Sequence, residues 1–245
     1  MCGIVGYVGR QQALEVVVAG LRRLEYRGYD SAGVAVVVEE RLEVRKKAGK
    51  LANLEVLLGS DPVPGSTTGI GHTRWATHGG PTDGNAHPHV SADARVAVIH
   101  NGIIENFAEL RDELAAVGIE MTSETDTEVV AHLLAHELPA ADGDLGEAMR
   151  RVCRRLEGAF TLVAIDRTQP DLVVAARRNS PLVVGLGDGE NFLASDVAAF
   201  FAHTREALEL GQDQVVEMTA ESVLVTDFAG EPVEARPFTV DWDAS

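Results

Sequence analysis

A cysteine directly follows the first methionine, in the opening segment MCGIVGYVG. If that methionine is removed, as is common before a small second residue, Cys2 carries both a thiol and a free α-amine. The thiolate is a strong nucleophile, and a terminal amine titrates near pH ~8, so it can accept a proton at neutral pH. A cysteine here is also compatible with a loose terminus that has no function. The apolar run at residues 4–8 favours the catalytic interpretation, because a strand would tie the terminus into a sheet.

A thiol that attacks an amide needs hydrogen-bond donors for the oxyanion that forms. The segment HNGIIEN provides two candidates. Asn101 carries a side-chain amide donor, and Gly102 lets its backbone N–H come close to a reacting carbonyl. Asn-Gly is also a common turn dipeptide, so the residues alone leave an oxyanion site and a turn equally open.

Two charged residues could hold the ends of an amino-acid substrate. Arg74, in HTRWATHGG, can bind a carboxylate through two parallel N–H groups, whereas a lone arginine is more often a surface residue. Asp126, in SETDTEV, could receive an ammonium group. Asp126 or Thr125 at the start of a helical pattern is also typical of a helix N-cap, and both interpretations stay open.

Five of the eight histidines lie between residues 72 and 100, which raises the question of a metal site. They are His72, His78, His87, His89 and His100. The chain has neither an H-E-x-x-H nor a Cys-x-x-Cys spacing, so we expect no metal and no cofactor. The second cysteine, Cys153, shares one face of a helical pattern with apolar residues, and we expect it to pack in the core.

The net charge limits the partners that the chain can have. At −17 over 245 residues, the chain lacks the basic face that binds phosphate groups, so we expect neither nucleic acid nor an anionic membrane as a partner. No apolar stretch reaches the ~20 residues that span a bilayer, and no leader with a basic start and an apolar middle is present. We therefore expect a cytoplasmic protein with reduced thiols.

Strand-like and helical patterns alternate irregularly along the chain. Apolar runs predict strands at residues 4–8, 34–38, 42–45, 96–100, 160–165, 172–175, 182–185, 192–194, 215–218 and 223–225. Helical spacing predicts helices at residues 12–26, 105–117, 127–138 and 145–156. Because strands and helices do not alternate one to one, we expect an α+β fold with two mainly antiparallel sheets packed together and covered by helices.

Two segments lack a regular pattern. Residues 61–89 are rich in Gly, Pro, Thr and His and predict a long loop, which in a compact domain is usually functional or disordered. Residues 236–245 show neither a helix cap nor the pattern of a closing strand. We expect one domain over residues 1–235, followed by the start of a linker over residues 236–245.

Eight segments in chain order resemble one family closely. They are MCGIVGYVG, RRLEYRGYDSAG, GHTRWATHGG, NAHPH, HNGIIENF, SETDTEV, AARRNSPLVVG and FLASD. The resemblance is to the N-terminal glutaminase domain of the glutamine–fructose-6-phosphate aminotransferases, or glucosamine-6-phosphate synthases, which are class II glutamine amidotransferases. It covers the chain from residue 1 to about residue 200. It implies the N-terminal-nucleophile hydrolase fold, a four-layer αββα sandwich.

The resemblance also implies the chemistry. Cys2 would become the first residue and attack the side-chain amide of L-glutamine, with its own α-amine acting through a water as the base. Asn101 and Gly102 would line the oxyanion hole, and Arg27 would lie near the nucleophile. Hydrolysis of the resulting γ-glutamyl thioester would then give glutamate and ammonia.

The same resemblance implies a set of substrate-binding residues. Arg74 would take the α-carboxylate of glutamine, assisted by Thr77 and His78. Asp126 would take the α-ammonium group. Trp75 would lie over the site and help to gate the passage of ammonia to a partner domain.

The family's full-length enzymes carry two further sugar-isomerase-like modules that bind fructose 6-phosphate, and this sequence does not contain them. The resemblance therefore implies that fructose 6-phosphate acts only through an absent C-terminal domain, and that the full-length protein is a homo-oligomer. Three alternatives stay open. They are a glutaminase domain of the purine-synthesis type, a non-catalytic amino-acid-binding relic of the fold, and a metal-dependent amidohydrolase built on the histidines.

Overall fold

The computed structural model describes residues 2–241. Met1, whose removal the sequence predicts, and residues 242–245 of the expected linker lie outside the described residues. The strands are β1 (Gly3–Val8), β2 (Ser31–Val38), β3 (Arg41–Ala48), β4 (Thr68–Arg74), β5 (His89–Val90), β6 (Val96–Ile104), β7 (Gly158–Asp166), β8 (Val173–Arg178), β9 (Val183–Leu186), β10 (Asn191–Ala194), β11 (Glu206–Glu209), β12 (Gln214–Met218), β13 (Val223–Asp227) and β14 (Arg236–Thr239). The helices are α1 (Ala13–Arg23), α2 (Leu51–Ser60), α3 (Phe107–Ala116), α4 (Asp126–Glu137) and α5 (Leu145–Arg155). Short 3-10 turns occupy Glu25–Arg27, Pro139–Ala141 and Val197–Ala199.

The strands form two sheets in which every neighbouring pair is antiparallel. The first sheet has eight strands in the order β14-β11-β9-β10-β1-β4-β2-β3, and the second has six in the order β13-β12-β8-β7-β6-β5. Helices α1 and α2 cover the outer face of the first sheet, and α3, α4 and α5 cover that of the second. The inner faces pack on each other through a third apolar core. The expected four-layer αββα sandwich of two antiparallel sheets is confirmed.

Strand β1 contributes side chains to two apolar cores, one on each face of the first sheet. Ile4 and Val8 point into the core between the sheets, whereas Val5 and Tyr7 pack in the core under α1. Successive side chains of a strand point to opposite faces, so a strand that is covered on both faces needs an uninterrupted apolar run. By the same alternation Cys2, one residue before the strand, lies on the side of Ile4, towards the second sheet.

The loop predicted over residues 61–89 is wrong in part, because it contains β4, which lies between β1 and β2 in the first sheet. The outer face of β4 carries Gly69 and Gly71 because α1 lies close above it. A Cβ on Gly71 would overlap the Val17 side chain of α1. A strand whose outer face is glycine lacks the apolar alternation on which the prediction depends.

Regular structure also continues past residue 235, where the sequence predicts the domain to end. β14 pairs with β11 at the edge of the first sheet, with Phe238 opposite Ala207. The segment RPFT is exposed on all four residues and has no apolar alternation, so its pattern does not predict a strand.

Helix α2 is likewise absent from the predicted helices. No helix within residues 2–241 is long and apolar enough to cross a membrane.

Candidate active site

The start of β1 is held on both sides by hydroxyl groups. The backbone N–H of Gly3 donates to Thr73 Oγ1 at 3.0 Å. The backbone N–H of Ile4 donates to Ser195 Oγ at 3.1 Å. Thr73 belongs to β4 and Ser195 follows β10, the two strands that flank β1. The chain next to Cys2 is therefore fixed to both neighbouring strands, and the interpretation as a loose terminus does not describe it.

The Cys2 thiol lies against the backbone of the residue that follows β4. Its Sγ accepts a hydrogen bond from the Trp75 N–H at 3.1 Å. Burial raises the pKa of the Cys2 thiol above its ordinary value, and the bond from Trp75 and the charge of Arg74 offset only part of this effect. The thiol is therefore protonated at neutral pH, and a base is needed to make the nucleophile.

Asn101 and Gly102 lie near the end of β6 in the second sheet. Asn101 Nδ2 donates to the backbone carbonyl of Cys2 at 3.1 Å, and its Oδ1 lies 2.9 Å from Nε2 of His72. Gly102 has a φ of 122°, and a Cβ there would overlap the Ala159 carbonyl of β7, so only glycine fits. Both residues pair with β7 inside the sheet, so the interpretation of Asn-Gly as a turn is wrong.

Arg74 is buried at the end of β4, with 3 % of the residue exposed. Its guanidinium donates to the carbonyls of His78, Gly79 and Gly80, the last two at 3.2 and 3.4 Å. In the part of the chain that the structure describes, no carboxylate forms a salt bridge with it. Burial lowers the pKa of Arg74, and nearby acidic groups offset part of the shift. Arg74 is thus a buried cation that a bound carboxylate could pair with, and the interpretation as a surface residue is wrong.

Asp126 is the first residue of α4 and is 4 % exposed. Its Oδ2 accepts a hydrogen bond from the Ile104 N–H at 2.8 Å, and its Oδ1 lies 3.9 Å from Nδ1 of His100. The N-cap residue of α4 is Thr125, which makes no capping bond through its side chain. Asp126 therefore ties the end of β6 to α4, while Oδ1 accepts no hydrogen bond from residues 2–241 and is open to another donor.

These groups meet at one cavity of about 340 Å³. Eight of the nine residues that the sequence predicts for the site line it, namely Cys2, Arg27, Arg74, Trp75, Thr77, Asn101, Gly102 and Asp126. The rest of its wall is formed by His87, His100, Ile103, Thr127, Ser180, Pro181 and Ser195, none of which the sequence indicates as part of a substrate site. The volume suits a small-molecule ligand.

The loop after β4 contributes the exposed part of the site. Trp75 is 56 % exposed, and Thr77 is also exposed. His78 does not line the cavity, since its ring meets the Phe107 ring edge-on with 5.2 Å between centroids. In this structure His78 contributes only its backbone carbonyl, which accepts from Arg74.

Arg27 lies in the turn before β2 and contacts the segment after β10. Its Nη2 donates to Asp196 Oδ2 at 2.6 Å, and its Nη1 donates to Ser195 Oγ at 3.2 Å. The same Ser195 oxygen accepts the N–H of Ile4. Arg27 therefore supports the start of β1 through Ser195, and it lines the same cavity as Cys2.

Four buried histidines form a layer of which two members, His87 and His100, line the cavity. The His87 ring stacks on His72 with centroids 4.3 Å apart, and it also contacts His89 and His100, at 5.1 and 6.5 Å. Burial lowers the pKa of all four, to about 3 for His72 and His89, so the rings are neutral at pH 7. Within residues 2–241, no three His, Cys, Asp or Glu side chains are arranged to hold a metal ion. The only sequence signal for this layer is the density of histidines over residues 72–100.

A family model described as a glutamine amidotransferase domain matches residues 72–202, which is more than half of the chain. Among curated proteins, the glutamine–fructose-6-phosphate aminotransferase (isomerizing) of Streptomyces coelicolor is 69 % identical over 245 residues. The protein of the same name from Leifsonia xyli is 65 % identical over 246 residues. Both alignments cover 100 % of this chain and 40 % of the relative, so the chain spans about two-fifths of the length of these relatives.

Among solved structures, the glutamine phosphoribosylpyrophosphate amidotransferase of B. subtilis superposes with a TM-score of 0.79, over 94 % of this chain and 50 % of that one. Its sequence is 24 % identical, so this likeness shows the fold alone. The identity with the fructose-6-phosphate aminotransferases is far higher, which confirms the resemblance read from the sequence motifs. The chain belongs to the family of glutamine amidotransferase domains and is homologous to a part of the glutamine–fructose-6-phosphate aminotransferases.

Proposed function

We propose that this chain hydrolyses L-glutamine to glutamate and ammonia, with Cys2 as the nucleophile. One observation carries the proposal. The thiol, an amide donor, a buried arginine and a buried aspartate all line one cavity of about 340 Å³. Glutamine offers a matching group for each of them, because it has a side-chain amide for the thiol, a carboxylate for the arginine and an ammonium for the aspartate.

The reaction begins with removal of the thiol proton. Burial raises the pKa of the Cys2 thiol, so a base is required. After removal of Met1, the α-amine of Cys2 takes this proton through a water, and the thiolate adds to the δ-carbonyl of glutamine. The proton then passes to the departing nitrogen, ammonia leaves, and a γ-glutamyl thioester forms. Water adds to the thioester, and glutamate and the free thiol are released.

Asn101 and Gly102 supply the donors for the oxyanion. A side-chain amide has two N–H donors, and one of those of Asn101 goes to the Cys2 carbonyl, so the second is free to reach a reacting oxygen. The backbone N–H of Gly102 is the other donor. Donors that are fixed before the reaction stabilise the developing charge without reorganisation.

Arg74 and Asp126 hold the amino-acid head group. Arg74 takes the α-carboxylate, with Thr77 and His78 of the adjoining loop in support, and Asp126 takes the α-ammonium through its open Oδ1. Trp75 covers the mouth of the cavity and gates the passage of ammonia. This assignment is supported by the burial of both charges without a salt bridge between them, because each then gains a partner when glutamine binds.

The relatives suggest a wider function. The chain spans 40 % of their length, so we place it as the ammonia-producing part of a longer protein. There, a linker would join the domain to a C-terminal domain, and the ammonia would serve the conversion of fructose 6-phosphate to glucosamine 6-phosphate in that domain. The full-length protein would be a cytoplasmic homo-oligomer.

Covalent labelling tests the proposal. The purified chain without Met1 is treated with the glutamine analogue 6-diazo-5-oxo-L-norleucine, and its intact mass and peptide map are measured. We expect one adduct on Cys2 and none on Cys153, which is fully buried and whose pKa is raised by that burial. The matched control is Cys2→Ala, which should stay unlabelled.

Two outcomes would contradict the proposal. An unlabelled chain that lacks Met1 would favour the non-catalytic amino-acid-binding relic. Glutamine hydrolysis that EDTA abolishes would favour the metal-dependent amidohydrolase over the cysteine mechanism.

A further inference from the structure

His72 connects the two sheets at the nucleophile. It lies in β4 opposite Ile4 of β1, and 1 % of the residue is exposed. Its Nε2 lies 2.9 Å from Oδ1 of Asn101 in β6. Nδ2 of Asn101 in turn donates to the Cys2 carbonyl at 3.1 Å. Two hydrogen bonds in series therefore run from the first sheet to the second, and back to the residue that carries the thiol.

The direction of the first bond follows from the chemistry of its two atoms. An amide oxygen can only accept, so Nε2 of His72 carries the proton. Burial lowers the pKa of His72 to about 3, so the ring has a single N–H at neutral pH. Nδ1 is then unprotonated, because a neutral imidazole carries one proton.

This bond selects one of two orientations of the Asn101 amide. Turning the amide by half a rotation exchanges Nδ2 and Oδ1. The amide N–H groups would then face the Nε2–H of His72, and the amide oxygen would face the carbonyl oxygen of Cys2. Both hydrogen bonds would become contacts between like groups, which is unfavourable for buried polar atoms. Only the observed orientation turns the N–H groups towards Cys2.

The His72 ring is itself held in place. It stacks on the His87 ring with an angle of 21° between the planes. Nδ1 of His87 accepts the backbone N–H of His100 at 3.3 Å, which attaches His87 to β6. The donor that orients Asn101 is therefore fixed by the backbone of the same strand that carries Asn101.

We propose that His72 is the positioning residue of the oxyanion donor, because its Nε2–H holds the Asn101 amide with the N–H groups turned towards the reacting centre. This inference rests on the proposed role of Asn101 in glutamine hydrolysis. His72 is not among the residues that line the cavity, so its effect passes through Asn101 and should change kcat and leave KM unaltered.

Two substitutions at this position form a matched pair. In His72→Gln, the side-chain nitrogen can take the place of Nε2 and donate to Asn101. In His72→Asn, the shorter side chain places its nitrogen near the former Nδ1, out of reach of Asn101. We expect His72→Asn to lower kcat by about 10-fold or more, up to the roughly 10²–10³-fold loss of an oxyanion donor, with KM unchanged. His72→Gln should recover most of the loss, and equal losses in both variants would overturn the inference.

A double-mutant cycle separates orientation from packing. His72→Asn combined with Asn101→Ala should be no slower than Asn101→Ala alone, since no amide is left to orient. Losses that add would show that His72 acts through packing and would overturn the inference. A normal kcat in His72→Asn beside a slow Asn101→Ala would overturn it too, with the proposed function intact. A normal kcat in Asn101→Ala would refute the oxyanion role itself, and the inference with it.

A measurement on the unsubstituted chain does not depend on how any variant folds. Imidazole ¹⁵N chemical shifts distinguish protonated from unprotonated ring nitrogens, and through-bond correlation to the backbone assigns them to His72. We expect a proton on Nε2 and none on Nδ1 from about pH 6 to about pH 8, where an ordinary histidine titrates. A proton on Nδ1 would overturn the inference, because Nε2 could then not donate to Asn101.

Discussion

In the proposed mechanism the cavity has a nucleophile side, with Cys2 and Asn101, and a head-group side, with Arg74 and Asp126, and the two sides are held in different ways. On the nucleophile side, Asn101 bridges the carbonyl of Cys2 and the ring of His72, so the polar groups are attached to strands of both sheets. On the head-group side, Arg74 donates to three carbonyls of residues 78–80, in a loop that is partly exposed. The first set of bonds connects two sheets, and the second connects the end of one strand to a loop.

This difference separates chemistry from binding. Donors held by strands keep their geometry before a substrate arrives, which is the condition for stabilising an oxyanion without reorganisation. A guanidinium has five N–H donors, and three of the hydrogen bonds of Arg74 go to loop carbonyls, so an arriving carboxylate must share or displace some of them. Substitutions on the nucleophile side should therefore change kcat, and those on the head-group side should change KM.

Loss of the nucleophile should have the largest effect. Cys2→Ser keeps an acceptor for the Trp75 N–H, but an alcohol is a much weaker nucleophile than a thiolate. We expect ammonia release from glutamine to fall by on the order of 10⁴-fold or more, while calorimetry still detects glutamine binding. Cys153→Ala, on the buried face of α5, is the matched control and should keep normal turnover. Near-normal turnover in Cys2→Ser would assign the chemistry to another residue.

Asn101→Ala should show the clearest separation of the two sides. We expect kcat to fall by roughly 10²–10³-fold, because one oxyanion donor is lost. KM should stay unchanged, because Arg74 and Asp126 still hold the head group. Steady-state ammonia release gives both constants. Weaker binding with normal turnover would place Asn101 on the head-group side and break the comparison.

Acid should destabilise the folded chain through its buried histidines. Burial lowers the pKa of His72 and His89 to about 3, whereas a histidine in the unfolded chain titrates near ~6.5. Above about pH 6.5 neither state takes up a proton. Below it only the unfolded state does, so the free energy of unfolding falls as the pH decreases towards 3. At ~1.4 kcal/mol per pH unit, each of the two histidines should lower stability by about 2 kcal/mol at pH ~5.

Urea unfolding at pH 7 and pH 5 measures this loss, and His89→Gln isolates the part that comes from one ring. The variant can keep a hydrogen bond to Thr125, the partner of Nε2 in the structure, but it cannot take up a proton. The free energy of unfolding of this variant should fall less between pH 7 and pH 5 than that of the unsubstituted chain. The difference should equal the contribution of one histidine. An equal loss in both chains would show that this ring is not held neutral by the fold.

On the head-group side, Arg74→Lys should raise KM. Lysine keeps the charge but lacks the planar fork that binds a carboxylate through two bonds. The loss of one charge-assisted hydrogen bond, about 1.5–3 kcal/mol, corresponds to a rise in KM of roughly 10- to 100-fold with kcat little changed. Arg45→Lys is the matched control, since Arg45 is paired with Glu43 and Asp61 and does not line the cavity. A fall in kcat with normal KM would contradict the division of roles.

Much of the nucleophile side can be predicted from the sequence, because pattern and chemistry coincide there. The apolar runs of β1 and β6 begin after Cys2 and end before Asn101, so each polar residue stands at the end of a predicted strand. Their contact cannot be predicted in this way. The two residues are 99 positions apart and meet only when the two sheets pack. The stacking of the four histidines cannot be predicted from the sequence for the same reason. They come from β4, β6 and the segment between these strands, and they meet only in the folded chain.

Less of the head-group side can be predicted from the sequence. β4, which carries Arg74, has glycine on the face towards α1, so its sequence pattern predicts a loop and not a strand. The groups that hold Arg74 are backbone carbonyls, which every residue has, so no residue type marks them. Motifs identify Arg74 and Asp126 as candidates, but they do not show what positions either side chain.

The loop on the head-group side is itself held by Asn85, which is 3 % exposed. Its Nδ2 donates to the Gly80 carbonyl at 3.0 Å and to Glu124 Oε2 at 2.9 Å, and its Oδ1 accepts the Glu124 N–H at 3.0 Å. The Gly80 carbonyl is one of the three that accept from Arg74. Asn85 therefore ties the loop that holds Arg74 to the segment just before α4.

Asn85→Ala should have the smallest effect of these changes. Arg74 and Asp126 keep all their own atoms, and only the support of the loop is weakened. A net loss of about 1 kcal/mol corresponds to a rise in KM of roughly 5-fold, with kcat unchanged, in steady-state ammonia release. Asn53→Ala is the matched control, because Asn53 also donates to a backbone carbonyl, that of Ala48, but is exposed and outside the cavity. A lower kcat at normal KM would mean that the loop also positions the nucleophile side, and the two sides would then not be independent.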